Sequence, residues 1–347
     1  MIQEQEIVRT PVAWADSVVP GSRYTIIVEE RPSSSAPSLT LAKALARLGR
    51  STRFATVLEL RRLDWLRMLR SAEAIVVVYY HAIETYALSQ LASAVALDVP
   101  IIRWWVGTDV LNAITDDDVR QSALRLDRIV TTNVAVAPHL VEELASVGIL
   151  AQNVPSLLDP DLAEPEPVQW REEIRPVLTY LPGKRKDFFG VDVIERAVTA
   201  NPDLHFIIVA DQTHALASHA NVESLGWVSD MREVYSRAGC LLRITDHDGL
   251  PRMLMEGLLR GMYAIYSWPL AGCWQARTTE EVQAALMRYR EMKSLNSEGQ
   301  HAMRELLDDR PDRRMSSVIG DAAVPLATRG HALSLAVRTK LFAEQFR

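Results

Sequence analysis

Short apolar runs and helix-length amphipathic stretches alternate along most of the chain. In the first half, Thr25–Val28, Phe54–Leu58, Ala74–Tyr80, Ile101–Val106 and Arg128–Thr132 read as strands. Between them, Leu39–Leu48, Glu84–Ala96 and Val119–Leu126 repeat apolar residues at helical spacing. Strands that are apolar on both faces belong in a parallel sheet covered by helices on both sides. A proline-rich acidic stretch with Pro160, Glu164, Pro165, Glu166 and Pro167 continues neither a helix nor a central strand, and it reads as a linker. After it the alternation restarts, with strands Val177–Leu181, His205–Ala210, Val222–Leu225, Cys240–Ile244 and Tyr263–Tyr266 and helices Val191–Thr199, Met231–Ala238 and Arg252–Gly261. The region beyond Thr278 reads as mostly helical. The fold class expected is therefore α/β, with two Rossmann-like doubly wound domains over 1–160 and 168–328. A C-terminal helix over about 331–347 is expected to pack back on the first domain.

Composition narrows this picture. At 347 residues and 48% hydrophobic, the chain exceeds one ordinary core and is too apolar for disorder. Its two cysteines, Cys240 and Cys273, form neither a disulfide framework nor a paired metal motif, which fits a reducing, cytoplasmic setting. No apolar run approaches the ~18 residues of a membrane span, and the opening MIQEQEIVRT lacks the apolar region of a signal peptide. The net charge of −6 argues against nucleic acid as a partner. Two local exceptions stand out. Arginines at 47, 50, 53, 61, 62, 67 and 70 crowd one segment, and Lys184-Arg185-Lys186 follow a glycine. Within the first, Leu58–Leu69 with Trp65 is amphipathic. It reads either as a packed surface helix with snorkelling arginines or as a peripheral contact with the inner membrane face through the 47–70 segment.

The most informative stretch runs Asp246-His247-Asp248-Gly249-Leu250-Pro251-Arg252-Met253-Leu254-Met255-Glu256-Gly257, from the end of a strand into a helix. Open α/β sheets bind ligands at such strand ends. Pro251 suits the first helical position, and a helix start offers N–H groups and a positive dipole end to phosphate oxygens. Gly249 lets the backbone approach a ligand. Asp248 and Glu256 sit on different sides of the turn, so they address different ends of a ligand. The plainer alternative is a turn followed by a solvated helix.

This segment resembles the E-G-F-P-x-x-x-x-E-A-x-x-x-G signature of retaining glycosyltransferases of the GT-B fold, family four (glycosyl transferases group 1). Asp248 stands at the first acid, one methylene shorter, and Glu256 at the second; Gly249, Pro251 and Gly261 also fit. Further likenesses are Leu178–Val198, Asn201-Pro202-Asp203-Leu204 with Phe206–Ala210, and Gly226-Trp227-Val228. In the first half, Val106-Gly107-Thr108-Asp109-Val110 is similar to the family's H-G-S-D loop, with Val106 replacing its histidine. Asn153-Val154-Pro155 through Asp159 resembles the V-I-P-N-G-V-D segment, and Phe189 stands before Gly190 where lysine is usual. The resemblance covers residues 70–285.

It implies a GT-B glycosyltransferase that moves a sugar from a nucleoside-diphosphate sugar to an acceptor hydroxyl, with retention and without a metal or other cofactor. The donor would lie on Lys184, Arg185, Lys186, Gly249, Leu250, Pro251, Glu256 and Gly107, with Asp248 and Asp109 as catalytic candidates. Acceptor-side candidates are His81, Ser33, Ser34 and Ser35, for a glycan, glycolipid or small molecule, with the active site in the cleft between the domains. Alternatives are a catalytically weak or inactive nucleotide-sugar-binding partner subunit and a nucleotide-sugar epimerase. Asp246-x-Asp248 imitates a metal-binding pair of a different fold, but its place before the helix argues against that use. Asp116–Asp118 reads as a helix start, and Trp104, Trp105, Trp268 and Trp274 are candidates for stacking on sugar faces.

Overall fold

The computed structural model describes residues 23–29, 37–55, 62–78, 85–159 and 175–323. The chain divides into two compact units, one up to Leu157 together with Asp312 onward, the other Leu158–Pro311. The return to the first unit thus starts at Asp312, earlier than the helix expected near 331, which lies outside the described residues, as does the 160–167 linker.

The first unit contains β1 (Tyr24–Glu29), α1 (Pro37–Arg47), β2 (Ser51–Ala55), α2 (Arg62–Arg70), β3 (Ala72–Val78), α3 (Thr85–Ala96) and β4 (Ile101–Trp105). It continues through α4 (Thr108–Thr115), α5 (Asp117–Asp127), β5 (Thr132–Ala135), α6 (Pro138–Ser146) and β6 (Ala151–Asn153). The sheet order is β2-β1-β3-β4-β5-β6, and every pairing is parallel. All six β1 residues are buried, as expected of a strand covered on both faces. Fully burying each Ile or Val contributes about 1.5–3 kcal/mol.

Several boundaries move. The strand expected at Arg128–Thr132 is β5, starting at Thr132. Ile129 and Val130 instead pack partly buried beneath the sheet after α5 ends. Polar Asn133 hides the strand in sequence, yet it is buried because its side chain bridges Trp105, Asp127 and the Leu150 carbonyl. The strand expected over Phe54–Leu58 begins at Ser51, which pairs with Tyr24. Asp116 caps α5, accepting from the N–H groups of Asp118 and Val119, as its position suggested.

α2 turns one face into the core of its unit. Trp65 and Leu69 lie in the core, and the Trp65 indole donates to the Gln90 carbonyl (2.7 Å) and Ser93 Oγ (3.0 Å). The Trp65 and Leu69 side of the helix is therefore taken up by the unit's own core, while Leu63 is 68% exposed. Among the described residues no helix is long and apolar enough to cross a membrane.

The second unit contains β7 (Val177–Tyr180), α7 (Val191–Ala200), β8 (Phe206–Val209), β9 (Val222–Gly226), α8 (Arg232–Arg237), β10 (Cys240–Arg243) and α9 (Arg252–Leu259). β11 (Tyr263–Tyr266), β12 (Trp274–Gln275), α10 (Thr279–Arg290) and α11 (Ser297–Asp308) follow, and α12 (Pro311–Ala322) passes into the first unit. The order β12-β11-β10-β7-β8-β9 is the Rossmann order, again parallel throughout. Side chains alternate between two cores. Val177, Phe206, Ile208 and Leu242 meet α7 and α10, while Leu178, Ile207 and Leu241 meet α8, α9 and α11. Helices on both faces make this unit doubly wound.

Candidate functional site

In the second sheet the strand order reverses between β7 and β10, and ligands of such sheets bind outside the carboxyl ends of those strands. The loop after β7 reaches Gly190, which caps α7 with φ +62°. A Cβ there would lie 2.4 Å from Ile244 Cγ2, just beyond β10. Glycine therefore lets the two loops touch, and the Asp246 N–H donates to the Phe188 carbonyl at 3.1 Å. Gly249, by contrast, is not in the left-handed region.

The β10 loop is fixed from several sides. Thr245 donates its N–H to Ser267 Oγ and its hydroxyl to the His247 carbonyl, both at 2.9 Å. Asp248 accepts from the Gly249 N–H at 3.1 Å through Oδ1 and from Arg243 Nε at 2.7 Å through Oδ2. Arg243, the last residue of β10, is 8% exposed, and its guanidinium carbon lies 5.3 Å from the Tyr180 ring and 5.2 Å from that of Phe189. Burial works against its charge, but the Asp248 charge and hydrogen bond hold its pKa above the ordinary value. Asp246 is exposed, and among the described residues no three acids, histidines or cysteines converge as metal ligands.

Pro251 caps α9 in extended conformation, one position earlier than expected, and the helix begins at Arg252. Glu256 lies in its second turn, buried at 8% exposure. The Tyr235 hydroxyl of α8 donates to Glu256 Oε2 at 2.6 Å, and no hydrogen bond reaches Oε1 from the described residues. Burial raises the Glu256 pKa; the Tyr235 hydrogen bond and the charges of Arg252 and Arg260 pull it back only in part. Burial and the neighbouring carboxylate push the Tyr235 hydroxyl well up.

Lys184, Arg185 and Lys186 occupy a single turn at this edge and all are exposed. Arg185 sits 4.2 Å from the centre of the Phe188 ring. Their field is screened over about 8–10 Å at ordinary ionic strength. Leu250 is half-buried.

In the first unit the Asp109 carboxylate is 1% exposed and turned into its own loop. It accepts N–H groups from Gly107 (2.9 Å), Val106 (3.1 Å) and Val110 (3.1 Å). Gly107 caps α4 at φ +142°, a conformation that favours glycine. These hydrogen bonds tie the Asp109 carboxylate, expected from the sequence as a catalytic candidate, to the backbone of its own loop. Trp104 and Trp105 are 2% and 0% exposed, which removes them as sugar-stacking surfaces, whereas Trp268 and Trp274 are half-buried. Beneath Trp105, Arg103 stacks at 3.4 Å, and burial lowers its pKa to about 10. Ser33, Ser34, Ser35 and His81 lie outside the described residues. A cavity of about 450 Å³ opens at the starting ends of β5 and β6, opposite the edge where such sheets bind ligands, and one of about 250 Å³ lies between Thr132, Gln152 and Val154 and residues Arg314 and Ser317 of α12.

Sequence reasoning missed Arg243 and Tyr235. A charged residue ending the apolar run Cys240-Leu241-Leu242 is a detectable signal for the first. Tyr235 meets Glu256 only through packing of α8 on α9, which no local pattern encodes.

No family model and no curated protein matches this chain in sequence. Solved structures do match. Anabaena HepE in complex with UDP and glucose superposes with a TM-score of 0.65 at 11% identity, covering 86% of this chain and 100% of that one. A glycosyltransferase from Rickettsia africae gives 0.61 at 11% identity over 87% and 99%. Sucrose-phosphate synthase from Thermosynechococcus elongatus gives 0.60 at 11% identity over 86% and 99%. At these identities the likeness concerns architecture. Two parallel six-stranded sheets, each with its helices, make the fold of this chain the GT-B fold of these glycosyltransferases.

Proposed function

We propose that this protein is a glycosyltransferase that moves a sugar from a nucleoside-diphosphate sugar to an acceptor hydroxyl. The observation that carries the reading is Glu256, a buried carboxylate with one oxygen engaged by Tyr235 and the other unused among the described residues, behind the carboxyl edge of the switch point. A carboxylate of this kind accepts hydrogen bonds from a ribose diol. Asp248 then faces the sugar, and the start of α9 together with Gly249, Leu250 and Pro251 lies by the diphosphate. The exposed Lys184, Arg185 and Lys186 draw the anionic donor in. HepE, of the same fold, was solved with UDP and with UDP-glucose, which supports a nucleotide-sugar donor.

The reaction we infer breaks the bond between the anomeric carbon and the diphosphate oxygen and forms one from that carbon to the acceptor oxygen. The bonding pair leaves with the diphosphate, and the acceptor proton passes to the departing phosphate. Cations fixed beside the leaving group stabilise its growing charge more in the transition state than in the ground state. This chemistry requires no metal, and departure and attack on one face give retention.

The test is a thermal-shift series with UDP-, GDP-, ADP- and dTDP-sugars, with and without magnesium, on the wild type and Glu256→Ala. One nucleotide series is expected to raise Tm without metal in the wild type only. No shift with any donor would overturn the reading, and a shift that requires magnesium would overturn metal independence.

A further inference from the structure

Arg243 is a buried cation with unused donors. Its side chain is 10% exposed, and its Nε is committed to Asp248 at 2.7 Å. A guanidinium carries five N–H donors. Among the described residues neither Nη1 nor Nη2 makes a hydrogen bond. The strand it ends is otherwise Cys240-Leu241-Leu242, so an apolar residue would suit the packing as well. Burying a guanidinium is costly, and a buried ion pair is often no more stabilising than apolar residues of similar volume. Packing therefore gives no account of the charge.

Its place gives one. Arg243 pairs in register with Tyr266, and its neighbour Leu242 pairs with Thr179, so it closes β10 beside the end of β7 at the switch point. Tyr180 and Phe189 flank the guanidinium, and Asp248 holds its Nε edge. A planar fork fixed on one edge presents the other for a two-point contact with an oxyanion. With the start of α9 a few residues away, the anion that fits is a phosphate group.

Resting on the glycosyltransferase reading, we propose that Arg243 is the cation that grips the diphosphate of the donor, and that Asp248 orients it. The exposed Lys184, Arg185 and Lys186 act at longer range. One guanidinium that is mostly buried and fixed by Asp248 outweighs three charges screened in solvent.

The test is calorimetric titration of the full chain with UDP, GDP, ADP and dTDP, then with the nucleoside matching whichever diphosphate binds. Arg243→Met is expected to weaken diphosphate binding by about thirtyfold or more and nucleoside binding by less than about twofold. Arg243→Lys, which keeps charge but loses the fork, is expected to fall between. Replacing Lys184, Arg185 and Lys186 together with alanine is expected to cost no more than about threefold at 0.15 M salt. Because Arg243→Met removes the guanidinium from Asp248, the Arg243→Met/Asp248→Asn pair repeats the measurement with that carboxylate charge also removed, so a folding failure of the single variant leaves a decisive result. Diphosphate affinity within about threefold of wild type in the paired variant, or an equal loss for the nucleoside, overturns the proposal. A loss confined to nucleotide donors of uronic acids, with the free diphosphate unaffected, also overturns it and assigns Arg243 to a sugar carboxylate. If no diphosphate binds the wild type, the glycosyltransferase reading itself fails before any variant is needed.

Discussion

Asp109 and Asp248 occupy the same local setting in the two units: each follows a buried parallel strand and stands at or just before the start of a helix. Their uses diverge. Asp109 is sealed at 1% exposure, with N–H groups of Val106, Gly107 and Val110 on its carboxylate. Asp248 takes one backbone N–H and an arginine whose other donors are uncommitted among the described residues, and its side chain remains 16% exposed. Local sequence placed both acids at strand ends. The atoms that reach their lone pairs differ, and on the proposed reading that difference separates an acid that shapes a loop from one that meets a ligand.

The sharpest way to break the comparison is Asp109→Ala. It strands several buried N–H donors and should cost about 3–4 kcal/mol in urea unfolding, with donor affinity of the folded protein unchanged. Normal stability with abolished transfer would make Asp109 catalytic after all. Gly190→Ala should cost about 2–3 kcal/mol, because it combines a left-handed backbone with a methyl group driven into Ile244. A wild-type unfolding midpoint would show that the two loops of the switch point are not rigidly packed.

Asp248→Asn keeps an acceptor for Arg243 but removes the charge. Transfer should slow by about tenfold or more while stability changes by about 1 kcal/mol, read as kcat beside a denaturation curve. Equal behaviour of Asp248→Asn and Asp109→Asn would erase the distinction between the two loops.

The smallest effect concerns pH. Burial raises the Glu256 pKa above its ordinary 4.5, while Tyr235 donates to its ionised form. In the folded state the protonated form is favoured, so the stability this carboxyl contributes is full below 4.5 and lost as pH rises through the shifted value. Ribose binding needs the ionised form, so donor affinity should rise over that same interval. Tyr235→Phe removes a hydrogen bond that lowers the pKa and should move the inflection to higher pH, with about threefold weaker binding at the acid end and a smaller loss above it. An unmoved inflection would detach Glu256 from nucleotide binding.

Much of the architecture was legible in sequence. Doubly apolar strands alternating with amphipathic helices can be satisfied only by parallel sheets with helices on both faces, and Asp116 announced the start of α5 through an acid at its cap. Strand ends were less legible where polar residues are buried through specific bonds, as at Asn133. The amphipathic α2 shows the same limit, because one pattern serves a lipid-facing helix and a core-facing one, and only the packing of Trp65 separates them. At the candidate site, the spacing around a helix start singled out Glu256 and Asp248. Arg243 and Tyr235 were not, since each acquires its meaning from a partner on another element.

By itself the sequence determined the fold class, the register of apolar faces and the loop from Asp246 to Glu256, because hydrophobic period and helix-start chemistry act over a few neighbouring residues. The tertiary structure alone decided that Asp109 is closed, that Asp248 is held by Arg243, that Glu256 is buried with Tyr235 on one oxygen, and that Lys184, Arg185 and Lys186 stay in solvent. The physical reason is that desolvation and hydrogen-bond occupancy set the use of a charged group, and both depend on atoms that only the packed fold brings within reach.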